Sequence, residues 1–190
     1  MNGWDSYPLS THIVQHFLLA LVLPPLLLLV TPSFELRGFR RMERVIGQPP
    51  VSWLLGVGTM LAWHIPVIFN AALAHNGLHI FQQLSFVISG VIFWWPILGP
   101  LRDRHLSALA AVAYLFSACV CCSLLGAFLT FGPSALYDLQ GPNHGAIDPK
   151  GDQQLGGLLM WVPGCFVYLA GILSTVLRWY GRHEIKRHAH

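Results

Sequence analysis

The sequence predicts an all-α membrane protein, a bundle of five transmembrane helices. Three observations carry that expectation. Hydrophobic residues make up 54% of the 190-residue chain and charged residues only 10%, against roughly 25% charged in a soluble domain. Mean hydropathy is +0.55. Apolar runs near 9–30, 51–73, 78–98, 106–131 and 153–177 each reach the ~20 residues that a spanning helix needs. The basic residues, finally, are unequally shared among the connecting segments.

The first run holds His12 and His16, four apart, which places both rings on one helix face, one turn apart. Residues 1–8 contain no Lys or Arg, so the positive start of a cleaved signal peptide is missing. The second run carries His64 and Pro66. A turn holding His75 leads into the third, with His79 in its first turn and Gln82 and Gln83 in the next. The fourth carries Cys119, Cys121 and Cys122, and the fifth Cys165. These cysteines suggest neither a disulfide framework nor a CxxC motif, and read as small packing side chains. The fifth run opens on Asp152-Gln153-Gln154 and carries Met160. Its Gly157, Gly164 and Gly171 recur every seven residues, a stripe suited to close helix packing. Pro24-Pro25, Pro66, Pro96 and Pro163 interrupt four of the runs. Each proline frees the carbonyl four residues back, and packed kinks are expected there.

Five alternating helices put Arg37, Arg40, Arg41, Arg44, Arg102, Arg104, Arg178, Arg182, Lys186 and Arg187 on one side, leaving only Lys150 on the other. By the positive-inside rule the N-terminus is outside and the C-terminus cytoplasmic. The loops are too short for a separate soluble domain, so residues 1–190 are expected to form one transmembrane domain. The basic clusters adjoin apolar spans, which argues for a lipid bilayer and against nucleic acid.

Depth sorts the polar residues. With a rise of ~1.5 Å per residue, His12 and His16 fall roughly 5 and 10 Å below the outer start of the first helix, and His64 roughly 13 Å from the outer end of the second. His79 sits at the outer start of the third. Ionisable groups within a membrane are costly and point to function. Neutral imidazole is the commonest metal ligand; it suits copper, zinc and iron, while thioether favours reduced copper. The expected ligands are therefore His12, His16, His64 and His79. His75 and Met160 are supporting candidates, and Asp152, Gln153 and Gln154 are candidates to hold the second ring nitrogens. His105, His144, His183, His188 and His190 lie at edges, in loops or in the tail and read as solvated. Trp63, Trp94, Trp95 and Trp161 read as packing and interface anchors. No nucleophile, base and carboxylate set is present within the spans, so the chain is not expected to be an enzyme.

The combined motifs extend over residues 10–177: His12-x-x-x-His16 before Pro24-Pro25, Trp63-His64-Ile65-Pro66, His79 ahead of Phe93-Trp94-Trp95-Pro96, Asp152-Gln153-Gln154-Leu155-Gly156-Gly157, and Met160-Trp161-Val162-Pro163. Together they resemble the cytochrome c oxidase assembly factor CtaG family, the membrane family associated with caa-type oxidases. The resemblance implies a multi-pass protein of the bacterial cytoplasmic (inner) membrane. It implies work with haem–copper oxidase subunits or other assembly factors, through binding or delivering copper. The residue after the first histidine is often Met in that family; here it is Ile13, which removes one soft ligand. Three other readings fit the same residues. A b-type haem electron carrier would use facing histidines as axial ligands. A copper permease would need a path across the whole bilayer. An assembly scaffold would use the histidines for hydrogen bonds alone.

Overall fold

The computed structural model describes residues 9–30, 47–100, 105–133, 136–137 and 148–188. Arg37, Arg40, Arg41, Arg44, Arg102, Arg104, Asp138, His144 and His190 lie outside them, as do the side chains of Arg182, His183, Lys186, Arg187 and His188. Every regular element among the described residues is helical.

Helix α1 (Leu9–Phe17) runs through a π-helical turn, Leu18–Val22, into α2 (Leu23–Val30). The cause follows in the sequence. Pro24 and Pro25 lack N–H groups, so strict α spacing would strand the carbonyls of Ala20 and Leu21. The chain widens one turn earlier instead, and the Leu23 N–H bonds Leu18 O, five residues back. Gly90 packs against this turn; a Cβ there would strike the Ala20 carbonyl oxygen and the Pro24 ring.

The expected second helix, 51–73, is broken in two. Helix α3 (Pro49–Trp63) and α4 (Pro66–Ala74) meet at a bend of 72°. Pro66 opens α4 at a position where its missing N–H is not needed. Ile65 before it is extended, at φ −67° and ψ 124°, as sterics require ahead of proline. Helix α5 (Asn76–Leu98) and α6 (Ala108–Phe131) follow; the Ser107 side chain caps α6 by accepting the Ala110 N–H at 3.4 Å. The last helix, α7 (Pro149–His188), is longer at both ends than the expected 153–177. Its 40 residues would measure about 60 Å, twice the ~30 Å hydrocarbon thickness.

The uninterrupted first segment Leu9–Val30, together with α5, α6 and α7, gives four helices long and apolar enough to cross a membrane; the bent pair α3–α4 makes a fifth if it counts as one span. Leu29, Val30, Val67, Leu109, Phe131 and Phe166 are exposed. Such a surface suits lipid as its solvent. Small residues bring the helices together. A Cβ on Gly157 would lie 2.5 Å from Thr130 Oγ1, and one on Gly126 2.6 Å from Trp161 Cβ, so α6 and α7 touch through their backbones. Gly171 is similarly closed by Trp94 and Leu115, at 3.0 and 3.1 Å. Gly164, expected on the same packing stripe, departs from it: its nearest neighbours are 4.0 Å away and it faces a cavity.

Three regions of core result among the described residues, the smallest of them Trp63, Ala72 and Phe86. Leu21, Phe93, Trp94, Tyr114, Leu115 and Tyr168 belong to the largest one. Leu9, Ile13, Phe69, Leu129, Tyr137 and Met160 form another, beside the polar ends of α1, α5 and α7.

Candidate metal centre

The first turn of α1 is fixed by a residue 143 positions away. Asp152 Oδ2 accepts the Leu9 N–H at 2.5 Å, and Oδ1 accepts the Ser10 N–H at 3.2 Å. A helix start leaves its first N–H groups without partners in the helix, and a carboxylate there also suits the helix dipole. Asp152 thus couples the starts of α1 and α7. Both of its carboxylate oxygens serve backbone N–H groups, a different task from the one expected from sequence. Gln153 serves the backbone too: its Oε1 accepts the Leu136 N–H at 2.7 Å, and its Nε2 donates to Leu129 O at 3.1 Å. Gln154 is exposed. His75 is exposed as well, in the link between α4 and α5.

The four histidines singled out from sequence do come together. His12, His16, His64 and His79 are all buried, 2–6% exposed. His12 meets His79 of α5 edge to face, ring centres 5.7 Å apart. One turn further along α1, His16 meets His64 edge to face at 6.4 Å. The break between α3 and α4 produces the second pair. Where the helix stops, the His64 N–H turns to Leu61 O at 3.2 Å. That releases Met60 O, and His64 Nδ1 donates to it at 2.7 Å. The neutral ring therefore carries its proton on Nδ1 and keeps a lone pair on Nε2. This Nε2 is buried and makes no hydrogen bond among the described residues. The His64 carbonyl accepts from the Tyr137 hydroxyl at 2.9 Å.

A glutamine pair orients the His79 ring. Gln15 Nε2 donates to Gln83 Oε1 at 2.9 Å, and Gln83 Nε2 donates to His79 Nε2 at 3.2 Å. Gln82 interacts with His16. Yet neither His16 ring nitrogen, nor Gln82 Nε2, makes a hydrogen bond of sound geometry among the described residues. Phe86 closes on His16 with ring centres 4.7 Å apart.

The deeper pair opens on a cavity of about 50 Å³. His16, His64, Met60, Met160, Cys122 and Tyr168 are among the residues that line it. Met160 was anticipated; Met60 and Cys122 were not. Met60 had a signal, since it precedes His64 by one turn of the same helix. Cys122 had none that set it apart from Cys119 and Cys121.

The arrangement is two stacked histidine pairs. Among the described residues no three His, Cys, Asp or Glu side chains gather as a metal-holding group. By centre distance alone each pair spans one shared ion; ligation requires the rings to turn out of the edge-to-face arrangement and His79 Nε2 to release Gln83 Nε2. A metal–nitrogen bond of about 2.0–2.1 Å plus a ring radius of roughly 1.2 Å lets two ligating rings stand up to ~6.5 Å apart.

An uncharacterised protein of Mycobacterium leprae (strain TN) is 23% identical over 206 residues, covering 94% of this chain and 31% of that protein. The chain thus spans about a third of this relative's length. No solved structure matches it. The model of the cytochrome c oxidase caa3 assembly factor family matches residues 1–182. With that match over nearly the whole sequence, the chain belongs to the cytochrome c oxidase caa3 assembly factor (CtaG) family.

Proposed function

We propose that the chain holds copper at the stacked pairs His12–His79 and His16–His64 and hands it on during maturation of a caa3-type oxidase. Membership of an assembly-factor family implies interaction with oxidase subunits or the assembly machinery. The observation that carries the copper reading is the convergence of four buried imidazoles from three segments. His64 Nε2 is turned away from its own backbone contact, the state a ligating imidazole requires. Reduced copper accepts low coordination numbers, so pairs suffice. The expected setting is the extracytoplasmic half of a bacterial cytoplasmic membrane, with the C-terminus inside. Holding and releasing an ion makes and breaks no substrate bond, so no catalytic group is required.

The cavity volume favours this reading over haem. About 50 Å³ admits an ion, whereas cofactor pockets are typically about 300 Å³ or more.

The test pairs elemental analysis of the purified chain with oxidase activity of its membranes. Wild type is expected to carry near-stoichiometric copper, and His12→Ala/His16→Ala to lose most copper and most oxidase activity. Unchanged copper content and activity in that variant would refute the assignment.

A further inference from the structure

Below the second histidine pair lies a group of sulfur atoms that the histidine site does not use. Cys122 of α6 is buried. Its thiol donates to Met60 Sδ at 3.3 Å, and its Sγ lies 3.1 Å from the Tyr168 hydroxyl. Met160 lines the same cavity from α7. His64 lines it too, with a buried Nε2 that has no hydrogen-bond partner among the described residues.

We infer that Cys122 and Met60, in the cavity that Met160 also lines, form a second, deeper site for a soft monovalent cation, adjoining His16 and His64. The inference rests on the reading that the chain handles copper. Three arguments support it. The first is ligand softness: thiolate and thioether select reduced copper over harder divalent ions. The second is spacing. With metal–sulfur bonds of about 2.3 Å, two sulfurs on one ion lie at most ~4.6 Å apart, and Cys122 and Met60 are inside that limit at 3.3 Å.

The third argument is charge. Binding breaks the Cys122 Sγ–H bond, forms an Sγ–metal bond and releases the proton to bulk water; no electron moves. A monovalent ion that replaces one proton leaves the net charge of the buried site unchanged. A divalent ion would leave an extra positive charge, which burial penalises heavily. Among the described residues no Asp or Glu joins a metal-holding group that would neutralise it. Tyr168 is placed to donate its hydroxyl proton to the thiolate once Cys122 has lost its own. The two sites share one cavity, so an ion at His16–His64 has the sulfur group as its next neighbour.

The test loads the purified full chain, in detergent, with ascorbate-reduced copper under anaerobic conditions. Copper K-edge X-ray absorption reads the ligand atoms, and competition with a cuprous chelator reads affinity. Wild type is expected to show sulfur as well as nitrogen scattering. Cys122→Ser is expected to lose most of the sulfur shell and bind cuprous copper at least tenfold more weakly, while nitrogen-bound copper remains. Met60→Leu, which conserves apolar volume, is expected to lower sulfur scattering in the same direction and serves if Cys122→Ser does not fold. Copper held by nitrogen alone, and unaffected by either substitution, would overturn the deeper site and leave the histidine reading standing. No copper bound by wild type under these conditions would overturn both.

Discussion

His64 shows how much one residue can be asked to do. Its ring donates to Met60 O, its carbonyl accepts from Tyr137, and its Nε2 stays buried without a bond among the described residues. Tyr137 lies outside the helices, and burial pushes its hydroxyl from 10.0 up to about 12. It therefore remains a donor at any physiological pH. Tyr137→Phe would leave the His64 carbonyl short of this partner, and the expected loss is about 1–2 kcal/mol, read as a lower thermal unfolding midpoint in detergent. The raised value also fixes a pH signature. The folded chain holds this proton more tightly than the unfolded chain, so that share of stability is complete below pH 10.0 and fades as pH rises to about 12. The gap between wild type and Tyr137→Phe should narrow across that window. At this scale the histidines were legible because an imidazole within an apolar run is conspicuous. The link from Asp152 to Leu9 and Ser10 was not legible, because it depends on how two distant helix starts align. Cys122 was passed over because it is ordinary in an apolar helix until its facing neighbour is known; Met60 was passed over although its place one turn before His64 marked it.

Two elements depart from regular α-helix, and each lies beside a histidine of the site. The π-helical turn begins directly after α1, whose face carries His12 and His16. The break before Pro66 places His64 opposite His16. Gly90 joins the first of these to α5. Gly90→Ala should destabilise the bundle by about 1–3 kcal/mol, since its Cβ would meet backbone and a proline ring rather than a side chain that can swing aside. A thermal midpoint equal to wild type would show that the contact yields more easily than argued. The prolines made both irregularities foreseeable from sequence. Where the strain is relieved was not foreseeable: the widened turn precedes Pro24, and the bend at Pro66 reaches 72°. Both outcomes depend on the neighbouring helix as well as on the local chain.

For the whole molecule, hydropathy alone made the helical class and the span regions legible, because every spanning segment must satisfy its backbone internally. What hydropathy does not encode is rotation of one helix against another, and rotation decides which polar groups meet. Orientation is a separate matter, carried by the ten basic residues on one predicted side. A reporter fused after His190 is expected to be active only in its cytoplasmic form; activity only in its exported form would invert the topology. The polar ends of α1, α5 and α7 lie together, while the largest core region is filled by Phe93, Trp94, Tyr114 and Tyr168. On the proposed reading, an ion held by these histidines would arrive and depart at that shared polar end, so transfer is expected to follow ping-pong kinetics, with each partner at excess blocking the other.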